Sequence, residues 1–391
     1  MPLDPSPSGP IPAGPSRRAF LGGAAAATAA LGLSPGGAAA SKPRVPGLVS
    51  VSDEAEYDRL VKLCYNENPY GPSESVLRAL EHATRYANRY LCPDSGVLQA
   101  IAAHHGVAPE NVLLGAGSTE VLGIAARAFL AEGQQIIGST PTFELVYQFA
   151  TGVQAAAHRL PLLGDYRQDV KAIAAAARRP DAGFVYVCNP NNPTGLIVTR
   201  DEVAELVDAA ASDTPLVIDE AYCDFADSDA YRSALPYVRS GEPVVVVRTF
   251  SKAYGMAGVR LGYAVAPPEL IERMSRHAGD MSVSVLARWA GAAAIADQQA
   301  RQRVCEETIR LRREVTGELR GLGYESLDSQ ASFFMVDLKR PVKPVIDAFR
   351  TEGVLVGRPF PPMLNHLRVS IGAPAEMQRF LDAFKKILPA A

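Results

Sequence analysis

The sequence predicts an α/β fold: a large domain with a mostly parallel sheet between helices, followed by a smaller α+β domain. Two observations carry this. Short apolar runs at residues 184–188, 215–219, 244–247 and 263–266 alternate with helical stretches such as 201–211, the pattern of a sheet buried on both faces. Beyond about residue 270 the pattern changes to a long helical stretch reaching Arg320, then strand-like runs at 332–336 and 353–356 with a helix between them. A chain of 391 residues has core enough in such an arrangement to bury a small molecule. It contains no internal repeat.

Taken in order, residues 1–40 stand apart. Ser16-Arg17-Arg18-Ala19-Phe20-Leu21 precedes a small-residue run at 22–33 and Ala38-Ala39-Ala40, which resembles a twin-arginine export signal cut before Ser41. Export to the periplasm or beyond is therefore expected; the alternative is an Ala/Gly/Pro-rich tail on a cytoplasmic protein. The run is too short and too alanine-rich to span a bilayer stably, and no cysteine near the cut offers a lipid anchor. Residues 41–75 form an irregular arm ending in Asn66-Glu67-Asn68-Pro69-Tyr70-Gly71-Pro72. Helices are expected at 74–86 and 97–105, and a strand at 111–114. The large domain is expected to occupy 76–275 and the small one 276–391.

The formal net charge is −3 and no basic run follows the N-terminus, so the chain shows no electrostatic footprint for nucleic acid. A small-molecule partner is expected. Cys64, Cys92, Cys188, Cys223 and Cys305 are odd in number, and no pair has the two-residue gap of a zinc site.

The densest chemistry lies in Arg248-Thr249-Phe250-Ser251-Lys252-Ala253-Tyr254-Gly255-Met256-Ala257-Gly258-Val259-Arg260, just after an apolar run. A lysine at the edge of a buried region loses its proton readily and forms an imine with an aldehyde. Thr249 and Ser251 offer hydroxyls, and Arg260 a grip for an anion. An aldehyde that also carries a phosphate suits this set, and pyridoxal phosphate is such a molecule. A solvated Ser-Lys turn before a glycine loop is the alternative.

Gly115-Ala116-Gly117-Ser118-Thr119-Glu120 follows a strand and opens a helix expected at 121–130, so its N–H groups and the helix dipole favour an anion, though a plain tight turn fits as well. Asp219-Glu220-Ala221-Tyr222 ends an apolar run. Asp219 is either a helix N-cap or a carboxylate paired with a pyridine nitrogen, and Tyr222 would donate to that ring's phenolate oxygen. Asn192, in the rigid loop Asn189-Pro190-Asn191-Asn192-Pro193-Thr194-Gly195, reaches the same oxygen in this reading. Phe143 is either a face stacked on the ring or a core residue. Arg368, in Leu367-Arg368-Val369-Ser370-Ile371-Gly372, suits a clamp for a substrate carboxylate, against the usual solvated edge arginine.

Between residues 66 and 372 these motifs occur together and in order, and the chain resembles the fold-type I pyridoxal-phosphate aminotransferases of class I/II, being similar within them to the histidinol-phosphate aminotransferase group. The resemblance implies a seven-stranded sheet in the large domain and an arm, 41–75, that joins the small one. It implies Lys252 as imine lysine and proton shuttle, Asp219 at the ring nitrogen, Asn192 and Tyr222 at the phenolate, and Phe143 on the ring. Around the phosphate it implies Gly117, Ser118, Thr119, Thr249, Ser251 and Arg260. Arg368 would take the substrate carboxylate, with Arg358 and Asn68 also on the substrate side. Tyr70 would reach the phosphate in the neighbouring subunit, implying a homodimer with shared sites.

The expected reaction is transfer of an amino group between an L-amino acid, or histidinol phosphate, and a 2-keto acid such as 2-oxoglutarate. Two departures fall near the substrate. The family's Val-Arg pair is Val356-Gly357-Arg358 here, and two residues intervene in Arg89-Tyr90-Leu91-Cys92-Pro93-Asp94. A lyase or decarboxylase using the same cofactor, and an aminotransferase of broad or aromatic specificity, are the rival readings. A ligand-binding regulator would need a basic DNA-binding module ahead of residue 60, and none is seen there.

Overall fold

In a computed structural model of the chain, residues 53–388 are described apart from 154 and 280. The expected export segment and its cut before Ser41 thus lie outside the described residues. The arm, expected to be irregular, instead holds a short helix, α1 (Glu54–Arg59), capped by Asp53, and a three-residue strand, β1 (Val61–Leu63), which forms because a distant strand pairs with it. Helices α2 (Glu74–Ala83) and α3 (Val97–His105) follow, near the expected limits.

Seven strands then form one sheet: β2 (Val112–Gly115), β3 (Gln135–Thr140), β4 (Ala156–Pro161), β5 (Ala182–Cys188), β6 (Leu216–Asp219), β7 (Val244–Thr249) and β8 (Gly262–Val265). Their order is β2-β8-β7-β6-β5-β3-β4, and β8 alone runs antiparallel to its neighbours. Every residue of β5 and β6 is buried, as a sheet covered on both faces requires. Alternate side chains go to opposite faces. Val185, Val187, Leu216, Ile218, Val244 and Val246 join one core, while Phe184, Tyr186, Val217, Val245 and Val247 join the other. Helices α4 (Ser118–Phe129), α5 (Leu145–Thr151), α6 (Val170–Ala177), α7 (Arg200–Ala209) and α8 (Leu235–Arg239) connect the strands.

Three further details differ from the sequence reading. Strand β4 has no apolar run to announce it, because it lies at the sheet edge and most of its residues keep contact with solvent. The helix after the glycine turn begins at Ser118 rather than residue 121, since Gly117, at φ 88°, already turns the chain into it. The helical stretch from 270 to 320 is broken into α9 (Pro268–Ser275), α10 (Val285–Ala296) and α11 (Gln298–Gly321). Ser284 and Asp297 cap the second and third of these, each accepting from a backbone N–H three residues on, so each starts a helix of its own.

The last elements are β9 (Phe333–Asp337), α12 (Val342–Thr351), β10 (Val354–Val356), β11 (His366–Ser370) and α13 (Pro374–Ile387). Strands β9 and β11 pair antiparallel, with Arg368 opposite Met335. The arm strand β1 pairs parallel with β10, from Val61 opposite Val354 to Leu63 opposite Val356. A separate core of Leu63, Phe334, Val336, Phe349, Phe380 and Phe384 sits beneath them.

Candidate active site

Strands β5, β6 and β7 are parallel neighbours in register, so the loops after them leave the same edge of the sheet. That edge carries Asn189 to Asn192, Asp219 to Tyr222, and Thr249 to Lys252, and ligands settle at such carboxyl ends.

Asp219 is the last residue of β6 and only 3% exposed. Its Oδ1 accepts from the Ala221 N–H at 3.1 Å and its Oδ2 from the Tyr186 hydroxyl at 3.1 Å. Burial pushes its carboxyl up to about 6, against the pull of those two donors. No helix starts on Asp219, so the N-cap reading falls away; the next turn is a short 3₁₀ segment at Cys223–Phe225. Glu220 beside it is also buried, and its carboxylate takes Ser233 Oγ, the Ala234 N–H and the Arg248 guanidinium at 2.7 Å. That ion pair ties the end of β6 to β7 and so fixes the spacing between Asp219 and the lysine loop.

Lys252 is half-buried, and its Nζ donates to the Tyr65 carbonyl at 2.9 Å. Burial, with Arg368 and Arg260 nearby, lowers the amine to about 8. A lysine so shifted is neutral far more often than one in water. Its loop is held by the arm: a Cβ on Gly255, at φ 68°, would stand 2.2 Å from the Gly71 carbonyl oxygen. Asn68 gives Nδ2 to the Ala253 carbonyl and takes the Tyr70 N–H on Oδ1, so its amide stitches arm to loop.

Arg260 meets the glycine turn. Its Nη1 donates to Ser251 Oγ at 3.3 Å and to the Ala257 carbonyl, and its Nη2 to the Ala116 carbonyl. A Cβ on Gly117 would lie 2.0 Å from Arg260 Nη2, and one on Gly262 would lie 2.3 Å from the Ser118 nitrogen. Only glycines leave room for the guanidinium beside the start of α4, where the same guanidinium meets Ser251 Oγ and Thr249 Oγ1 accepts the Ser251 N–H. The N–H groups in the first turn of a helix have no intrahelical partner, which makes this a cradle for a dianion. A phosphate fits the cradle, and a protonated ring nitrogen fits the buried Asp219.

Phe143, after β3, is half-buried against the core that includes Val217 and Val247. Tyr222 is buried, its ring edge-on to Phe333 at 5.0 Å, and burial raises its phenol well above the usual range. Its hydroxyl meets Asn66 Nδ2 at 3.0 Å. Asn192 Oδ1 accepts from Arg368 Nη1 at 2.6 Å, and Arg368 Nη2 donates to the Cys64 carbonyl. Arg368 is 7% exposed, its Nε has no hydrogen-bond partner among the described residues, and its guanidinium lies 4.6 Å from the Phe360 ring centroid. Burial lowers it to about 10, so it remains a cation at neutral pH. A buried guanidinium with a spare N–H is built for an anion.

Arg358 is exposed above the other arginine's aromatic neighbour, 4.3 Å from the Phe360 ring centroid, and donates to the Pro359 carbonyl at 2.9 Å. The residue between Val356 and Arg358 is Gly357, where a Cβ would come within 2.8 Å of the Arg368 carbonyl oxygen, so the packing here leaves no room for a side chain. Tyr70 is 46% exposed at the rim of a cleft of about 550 Å³ lined by Ala253, Tyr254, Asp297, Arg303 and Glu307.

Sequence reasoning missed Tyr186 and Asn66. Tyr186 looks like any aromatic in a buried strand, and the only available signal was its place two residues before the strand end.

Residues 58–384 match the sequence profile described as aminotransferase class I and II. The chain is 35% identical over 356 residues to a histidinol-phosphate aminotransferase of Moorella thermoacetica, covering 89% of this chain and 91% of that one. A crystal structure of histidinol-phosphate aminotransferase from Sinorhizobium meliloti, in complex with pyridoxal-5'-phosphate, superposes with a TM-score of 0.80 at 27% identity, covering 91% and 99% of the two chains. An L-threonine-O-3-phosphate decarboxylase from Porphyromonas gingivalis shares the fold alone, at 24% identity and a TM-score of 0.72 over 84% of this chain and 99% of that one.

Proposed function

Because the chain belongs to the class I and II aminotransferases and is a pyridoxal-phosphate-dependent aminotransferase, we propose that it moves an amino group between an L-amino acid or histidinol phosphate and a 2-keto acid such as 2-oxoglutarate. When bound, the cofactor supplies an aldehyde for the amine and an electron-poor ring that accommodates the electron pair left by a departing proton. The residues do the rest. Gly117, Ser118, Thr119, Thr249, Ser251 and Arg260 hold the phosphate, Asp219 keeps the ring nitrogen protonated, and Tyr222 donates to the ring oxygen. Lys252 Nζ, as the free amine, would take the proton from the substrate's α-carbon and pass it to the carbon that was the cofactor's aldehyde, and would move a proton in the opposite direction in the second half-reaction.

The observation that carries the substrate class is the buried Arg368 with its unpartnered Nε. It orients an anionic group beside the reacting carbon, and holding a carboxylate there keeps it away from the position of cleavage, which favours transamination over decarboxylation. The test is a panel of amino donors, histidinol phosphate included, mixed with holoenzyme while the cofactor absorbance is followed. Donors bearing a carboxylate or phosphate near the amino carbon should convert the cofactor, and simple alkylamines should not. Equal conversion by alkylamines would remove Arg368 from the reading, and conversion by histidinol phosphate alone would narrow it to that donor.

A further inference from the structure

Three consecutive residues of the arm each touch one functional side chain. The Cys64 carbonyl accepts from Arg368, the Tyr65 carbonyl from Lys252, and the Asn66 side chain meets the Tyr222 hydroxyl. The third contact has a direction that can be worked out. The Asn66 backbone N–H donates to Ser370 Oγ at 2.8 Å, which leaves that hydroxyl's own proton for Asn66 Oδ1, 3.0 Å away. With Oδ1 accepting, the other end of the amide is the NH₂ group. An amide NH₂ only donates, so at 3.0 Å it donates to the Tyr222 oxygen. The phenol is thereby left with its proton pointing elsewhere. Asn66 is 2% exposed and sits at φ 55°, a left-handed conformation that asparagine tolerates and most side chains do not.

We infer that Asn66, anchored by Ser370, is a positioning residue that fixes the Tyr222 hydroxyl as a donor toward the ring oxygen of the bound cofactor. This rests on the proposed place of Tyr222 at the ring. Arg368 and Asp219 act on Tyr222 through their charges, the buried Cys188 thiol stays protonated nearby, and Lys252 Nζ stands 5.6 Å from the Tyr222 ring centroid, but none of these sets the direction of the hydroxyl proton. Ser370 lies two residues from Arg368 on β11, so one strand positions both the substrate's anion and the phenol.

The test uses holoenzyme and reads the pH midpoint at which the absorbance of the Lys252–cofactor linkage changes. A donor on the ring oxygen draws negative charge from it, so losing that donor lets the linkage hold its proton to higher pH. Tyr222→Phe is the reference and should raise the midpoint. Asn66→Gly, which accepts the positive φ, and Ser370→Ala, which frees the amide to rotate, should raise it in the same direction by about half to one pH unit. Both should lower kcat several-fold with KM little changed. Asn66→Gly added to Tyr222→Phe should move the midpoint no further. A purely structural asparagine would lower the melting temperature and leave the midpoint in place; that result in both Asn66→Gly and Ser370→Ala overturns the inference. If Tyr222→Phe itself leaves the midpoint unmoved, the placement of Tyr222 at the ring fails, and the inference falls with it for that separate reason.

Discussion

Lys252 shows what a residue's surroundings add to its identity. The amine is lowered to about 8 because burial disfavours its charged form and the Arg368 and Arg260 guanidinium groups repel it. Below that pH the amine carries its proton and cannot attack an aldehyde; above it the free amine dominates. Capture of pyridoxal phosphate by the apoenzyme should therefore accelerate as pH rises, with a midpoint near 8, more than two units below that of a lysine in water. Stopped-flow absorbance measures this directly, and a midpoint near the ordinary lysine value would show that the folded site leaves the amine unperturbed. Lys252→Ala should still bind the cofactor through the cradle while turnover falls by several orders of magnitude. The lysine was legible in the sequence because small hydroxylated residues and an arginine surround it along the chain. The Tyr186 hydroxyl on Asp219 was not, because its partner lies 33 residues away on a neighbouring strand.

The elements matter through the edge at which they stop. Parallel pairing in register brings the ends of β5, β6 and β7 level, and three motifs separated by tens of residues become one site. The antiparallel β8 then brings Gly262 against the start of α4, where a Cβ would meet the Ser118 nitrogen at 2.3 Å. Gly262→Ala must push the cradle open or distort β8. Overpacking of this kind costs about 1–3 kcal/mol, and the cradle is where the cost falls. The variant should bind pyridoxal phosphate about tenfold or more weakly, as read by equilibrium dialysis. Unchanged affinity would mean that α4 shifts freely and the turn does not hold the phosphate. Strand positions were legible wherever apolar runs marked them; β4 escaped because an edge strand needs no such run, and the helix start at Ser118 because a glycine's left-handed turn leaves no periodic signal.

At the scale of the molecule, the Tyr70 side chain faces solvent only five residues from Tyr65, whose carbonyl holds Lys252. That placement supports the proposal of a homodimer in which each Tyr70 completes the partner's site. Sedimentation should give twice the chain mass. Mixing Lys252→Ala with Tyr70→Ala subunits should restore activity, since one site of the mixed pair then holds both wild-type side chains. Failure of the mixture to regain activity, with each variant folded, would remove Tyr70 from the shared site.

The sequence by itself determined the α/β class and the order of the motifs, and it singled out Lys252 as the proposed imine lysine and the glycine turn as the proposed anion site, since each depends on residues close together along the chain. Tertiary structure alone decided the partners. Arg368 meets Asn192 across 176 residues and Cys64 across 304, and Asn66 meets Tyr222 across 156. Local patterns of polarity and turn chemistry fix where a strand ends. Which side chain faces which across the site follows from how the sheets, the arm and β11 pack together, and spacing along the chain does not encode it.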